Sequence, residues 1–91
     1  MKRTKNYILR NLGEDFFLIP RGKMAEEVGG VLTLSETAAF IYNHIEETKD
    51  IEEMVLLMMM EFHATEEEKD EIRQDVNEMV QFFVDHGIAE K

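Results

Sequence analysis

The chain has 91 residues, 44% of them hydrophobic, with no cysteine and with ten Lys and Arg against twenty Asp and Glu. That is the size of one domain with a modest core; disulfides and thiolate metal sites are excluded, and no apolar run approaches the roughly 18 residues of a membrane-spanning helix. The charge is uneven: residues 1–25 hold six Lys/Arg and two Asp/Glu, a net +4, whereas residues 26–91 hold four and eighteen, a net −14, which disfavours a grip on phosphate backbones, since that grip rests on Lys and Arg.

The basic start, Met1-Lys2-Arg3-Thr4-Lys5, runs into alternating polar and apolar residues rather than an apolar core segment, so no secretory signal is expected and the cytoplasm is the expected compartment. Tyr7 to Leu12 reads as a strand, Gly13-Glu14-Asp15 supplies turn chemistry, and Asp15 to Ile19 reads as the returning strand, stopped by Pro20, which cannot donate to a ladder. Together they form a β-hairpin. Phe17 and Ile19 fall on one face of the second strand and Phe16 and Leu18 on the other, so that strand is expected to be central or covered on both sides. Arg21 to Val28, bracketed by Gly22 and Gly29-Gly30, reads equally as loop or helical turn.

Val31 to Leu34 reads as a third strand, with β-branched Val31 and Thr33. Ser35 follows as an N-cap, and the first long helix runs from Glu36 to about Glu46 with Ala38, Ile41, Tyr42 and Ile45 on one stripe. Asp50 and Glu53 open a second helix as a capping-box-like pair. Ile51, Met54, Val55, Met58 and Phe62 make its core stripe, while Leu56, Leu57 and Met60 point elsewhere, so this helix is either buried on several sides or presents a surface. Thr65 and Glu68 open the third, whose stripe is Ile72, Val76, Met79, Val80 and Phe83, with Phe82, Asp75 and His86 on one flank and Val84 on the other. Gly87 reads as the C′ stop, and Ile88-Ala89 as a short extended end. The expected fold is a single α+β domain over residues 1–91, winged-helix-like, a three-stranded antiparallel sheet packed on three α-helices in the order βββααα.

No catalytic constellation is visible. His44, His63 and His86 lie on separate elements, no His-x-x-x-His pair or phosphate-binding glycine loop occurs, and the single serine is accounted for as a cap. The acidic residues sit in hydrophilic runs, where the shifted pKa that acid–base catalysis needs has no evident cause. No cofactor or metal is expected, and the chain is read as a non-enzyme.

Gly30 to Ile41, Asp50 to Val55, and Asp75 to Phe83 followed by Gly87-Ile88 together resemble the PqqD family, the small peptide-binding proteins also called RiPP recognition elements. The resemblance covers about residues 7–89; its motifs are individually weak and gain weight from their order. Thr33-Leu34-Ser35 lacks the family's usual asparagine, and Glu47-Thr48-Lys49-Asp50 replaces a common Asp-Gly-type entry to the second helix, departures that bear on which pathway the chain serves. The resemblance implies that the leader of a ribosomally made precursor peptide binds as an added antiparallel strand on the third strand's edge, over the third helix. The complex would then go to a modifying enzyme, often a radical SAM enzyme, in pyrroloquinoline quinone or another peptide-derived biosynthesis. The expected groove has Val31, Leu32, Thr33 and Leu34 as its edge and Asp75, Met79, Phe82 and Phe83 as its wall. Leu56, Leu57 and Met60 are the expected enzyme contact, with simple burial as the alternative. An unguarded strand edge suits β-addition, the third helix's apolar arc of about 200° exceeds the roughly 100° a core-facing stripe needs, and seven methionines suit an adaptable surface.

Two rival readings stand beside this one. A winged-helix DNA-binding regulator requires a basic recognition helix, yet no Lys or Arg lies between Ile51 and Phe62. A dimerising regulatory subunit would use the Met-rich helix as its interface, and a homodimer is compatible with peptide capture as well.

Overall fold

The computed structural model describes residues 1–91, the side chain of Val28 excepted. Strands β2 (Tyr7–Leu12) and β3 (Asp15–Pro20) form the hairpin, in register from Tyr7↔Pro20 to Leu12↔Asp15. The loop is Gly13-Glu14, and Gly13 takes a φ of 66°, the left-handed conformation that a two-residue hairpin turn demands of its first residue. β4 (Leu32–Leu34) pairs antiparallel with β3 on its other side, Phe16 opposite Leu34 and Leu18 opposite Leu32. The sheet order is therefore β2-β3-β4, and β3, apolar on both faces, is central as its pattern required. Tyr7, Leu18 and Leu34 on the inner face are buried, and Phe16 and Leu32 pack against the core beside them.

The connection from β3 to β4, undecided in the sequence, holds a short helix α1 (Lys23–Val28), ended by Gly29 at φ 72°. Two further strands appear at the chain ends. β1 (Lys2–Arg3) pairs antiparallel with β5 (Ala89–Glu90), apart from the main sheet. The chain order is thus βββαβαααβ, and the three-stranded sheet on three long helices is supplemented rather than replaced. The expected third strand also loses Val31, which precedes β4.

Helix α2 (Glu36–His44) starts where Ser35 Oγ accepts the amide of Ala38 at 3.1 Å. Its expected stripe, Ala38, Ile41, Tyr42 and, just past its end, Ile45, is buried throughout. Helix α3 (Ile51–Glu61) is capped by Asp50, whose Oδ1 accepts the Glu53 amide at 2.9 Å, and buries Met54, Val55 and Met58. The third long helix begins with a turn of 3₁₀ helix, Glu66–Glu68, before α4 (Lys69–Asp85); the Glu68 carboxylate accepts both the amide and the hydroxyl of Thr65, each at 3.1 Å. α4 turns Val76, Val80 and Phe83 inward, and the Phe83 ring meets Tyr42 edge-on at 5.9 Å.

The C-terminal turn of α4 joins the two ends of the chain. Gly87, at φ 70°, donates to Val84 O at 3.3 Å, and Ile88 donates to Phe83 O at 2.8 Å, the paired bonds of a Schellman cap. Ile88 is fully buried. The Gly87 carbonyl accepts Thr4 Oγ1 at 2.6 Å and Asn6 Nδ2 at 3.0 Å, and the Thr4 amide donates to Ile88 O at 2.9 Å. One residue earlier, the Arg3 amide and guanidinium both donate to the Glu46 carboxylate, at 3.0 and 3.2 Å.

Gly87→Ala should lower stability by about 1–2 kcal/mol in urea titration, because a Cβ at positive φ is strained and would stand 3.3 Å from Met24 Cε. The bond from the Arg3 backbone amide, then that from its side chain, hold the Glu46 carboxyl below its ordinary pKa of 4.5. A depressed acid stabilises the fold above the ordinary value and loses that contribution as pH falls through the folded one. Glu46→Gln should therefore unfold at lower urea than the parent at pH 7, and the two midpoints should converge in acid.

Candidate functional site

A concavity of about 540 Å³ opens between three helices. α2 contributes Thr37, Ala38 and Ile41 from its first two turns, and α3 contributes Met58 together with Phe62 and Ala64 just beyond its end. The long wall is α4 with its preceding turn, through Glu68, Ile72, Asp75, Glu78, Met79 and Phe82. The floor is apolar, and the wall carries three carboxylates.

The rotation of α4 creates this wall. With Val76, Val80 and Phe83 inward, a step of about 100° per residue turns Asp75, Met79 and Phe82 onto the neighbouring arc. Phe82 is held there by a stack on His86, 4.1 Å between ring centroids, and His86 Nδ1 donates to the Phe82 carbonyl at 2.9 Å. The other flank of α4 is occupied. Arg73 reaches α3 with Nε and Nη2 on the Glu52 carboxylate at 2.6 and 2.7 Å, and its Nη1 lies 2.6 Å from Asp70. The Arg73 bond holds Glu52 below the ordinary carboxylate range, and bonding to Glu52 raises the Arg73 pKa further.

The end of α3 closes the groove by an unusual turn. His63 takes a φ of 53°, and the Ala64 amide returns to Met59 O at 3.0 Å, so that a histidine fills the position glycine usually holds in such a cap. This reversal sets Phe62 and Ala64 against the cavity, while Phe62 also meets Phe40 edge-on at 5.6 Å.

Of the expected groove residues, the structure brings Asp75, Met79 and Phe82 together in this cavity. Phe83 is a correction: it is fully buried against Tyr42 and belongs to the core, because the inward stripe of α4 passes through it. β4 contributes no side chain to the lining, which begins three residues past its end at Thr37. Leu34 is buried, Leu32 packs against the core, and Val31 and Thr33 are exposed. What β4 offers is backbone: it pairs only with β3, and among the described residues nothing pairs with its outer edge. Leu56 and Met60 form a separate exposed ridge on α3, 51% and 74% accessible, with Leu57 half-buried beside them.

The floor residues Ala38, Ile41, Met58, Phe62 and Ile72 fall on the core stripes of the sequence, since a groove floor and a core have the same composition. Glu78, three residues after Asp75 and so on a neighbouring arc, was legible in principle. Among the described residues, no three His, Asp or Glu side chains gather as a metal site would need, and no helix is long and apolar enough to cross a membrane.

The sequence profile of the family described as Coenzyme PQQ synthesis protein D (PqqD) matches residues 23–89. The chain belongs to the PqqD family. The matched span runs from the start of α1 into β5 and takes in the whole groove, with the β2–β3 hairpin ahead of it. No curated protein matches the sequence significantly. Among solved structures, that of TbiB1 in complex with the TbiA(beta) leader peptide aligns with a TM-score of 0.73 at 17% identity, over 99% of this chain and 95% of that one. The likeness is one of fold, and it extends across the PqqD-family chain from end to end.

Proposed function

We propose that this PqqD-family protein is a non-catalytic peptide carrier. It takes up the leader of a ribosomally made precursor as an added strand on the outer edge of β4, seats leader side chains in the groove walled by α4, and presents the complex to a modifying enzyme in the cytoplasm. The observation that carries the reading is the juxtaposition along one stretch of chain: a strand paired on one side only, leading through Ser35 into the helix that opens an apolar groove. Backbone bonds from such an edge give affinity that tolerates many sequences, and the groove adds selectivity. Family membership and the leader peptide bound in the similarly folded TbiB1 structure support the same reading. The enzyme we assign is a radical SAM protein acting in pyrroloquinoline quinone or related biosynthesis, with a homodimer as a compatible assembly.

Nucleic-acid binding has no comparable support. α3 carries no Lys or Arg, and the guanidinium of Arg73 on α4 is engaged by Glu52 and Asp70.

Titration calorimetry with leader peptides synthesised from short open reading frames sought beside the gene tests the assignment. Phe82→Ala should weaken binding about tenfold or more, as loss of a central aromatic anchor does. Asp75→Ala should cost only a few-fold, since an exposed ion pair contributes about 0–1 kcal/mol. Equal affinity in both variants and the parent defeats the groove. Leu56→Ser combined with Met60→Ser should leave leader affinity unchanged and slow modification by the partner enzyme; unaltered turnover would remove that ridge as the enzyme contact.

A further inference from the structure

We propose that the segment this groove accepts is cationic as well as apolar, with a Lys or Arg set beside bulky aliphatic or aromatic residues. The inference rests on the peptide-capture reading and adds the chemistry of the guest. The lining holds Glu68, Asp75 and Glu78 and no Lys or Arg. At about 1.5 Å of rise per residue these acids span roughly 15 Å of wall, the length of about four or five residues of extended chain.

Their existing bonds differ, and this singles out one of them. Glu68 accepts from Thr65 through one oxygen, and Glu78 accepts from Gln74 at 3.2 Å. Asp75 has no hydrogen bond or ion pair among the described residues, yet it lines the same groove as Met79 and Phe82. The nearest arginine in sequence is engaged elsewhere: Arg73 is held by Glu52 and Asp70, and among the described residues no ion pair reaches Glu68, Asp75 or Glu78. The carboxylates of the wall are therefore left without a positive partner from their own helix, in a chain of net charge −10. An acidic guest would meet like charge along the whole wall, whereas a Lys or Arg whose stem lies on Met79 or Phe82 would place its head at Asp75.

The test pans displayed random peptides of about 12 residues, long enough to cross the wall, against the whole protein. Peptides are retained when their synthetic copies shift the NMR amide signals of Leu32–Leu34. Retained peptides should be enriched in Lys and Arg next to Leu, Ile, Phe or Tyr. Their Kd should rise about tenfold or more in Asp75→Lys with Glu78→Lys, and several-fold between about 50 and 500 mM salt. The matched charge change outside the groove, Glu26→Lys with Glu27→Lys on α1, should alter Kd by less than about twofold, since neither residue lines the groove and exposed charges off the site are screened by salt. Should the groove double variant fail to fold, Asp75→Asn serves in its place, with an expected loss of about two- to fivefold. Retained peptides no more basic than the library, or an equal loss in the α1 variant, would overturn the cationic guest and leave strand capture standing. Failure to recover any peptide that shifts β4 would remove both.

Discussion

Burial of Phe83 sets the geometry on which the rest depends. Its ring is fully enclosed, edge-on to Tyr42 of α2, and a buried phenylalanine is worth about 1.5–3 kcal/mol relative to exposure. Val76 and Val80 lie on the same inward stripe, so the helix has one rotational setting in which all three are covered. That setting carries Asp75, Met79 and Phe82 onto the groove side and Arg73 onto the side of Glu52. The Arg73 fork then opposes rotation from the opposite flank. The groove wall follows from how the core is packed and needs no separate scaffold.

The closing of the chain ends fixes α4 along its axis. Thr4 and Asn6 both donate to the carbonyl of Gly87, and Ile88 is driven into the core one residue later. Each such bond is worth about 1 kcal/mol net, but they act on the turn that terminates the wall helix, beside the stacked Phe82 and His86. The hairpin and the helix end thus meet at one glycine. Its positive φ and the nearness of Met24 make that position intolerant of a side chain.

Most of the architecture was legible because its signals are local. Ser35, Asp50 and Gly87 announced the helix ends, and the period of α2 and α4 announced their buried faces. The two-sided apolar pattern of Phe16 to Ile19 announced a central strand. α1 was not legible, since six residues between glycines make less than two turns and carry no period. β1 and its pairing with β5 were not either: Ile88-Ala89 reads as an extended end, but two-residue strands have no alternation to mark a partner, and the pairing joins Arg3 to Ala89 across almost the entire chain. In the candidate site, the flank of α4 bearing Asp75 and Phe82 could be read from the excess width of its apolar arc, and the helical period put Phe83 on the inward stripe. What the period could not give is how completely Tyr42 encloses the Phe83 ring, which withdraws it from the groove wall. The turn at His63 was hidden for a related reason, a histidine in a glycine's conformation leaving no mark in the sequence.

An edge of three residues cannot by itself hold a guest. Alternate residues of an edge strand direct their amide and carbonyl outward, and at about 1 kcal/mol for each net bond the backbone supplies only part of the roughly 8 kcal/mol that a micromolar complex requires. In the proposed complex the remainder would come from apolar side chains seated on the floor of Ala38, Ile41, Met58 and Ile72, at about 1.5–3 kcal/mol for each one fully covered. A rim contact to Asp75 adds at most about 1 kcal/mol. The charge of the wall therefore has small leverage on tightness and large leverage on choice. A guest carrying Asp or Glu beside its anchors would have to bring like charges together, and one carrying Lys or Arg would not. On the proposed reading, floor and wall would divide the work: the floor would set how long a segment stays, and the carboxylates which segment enters.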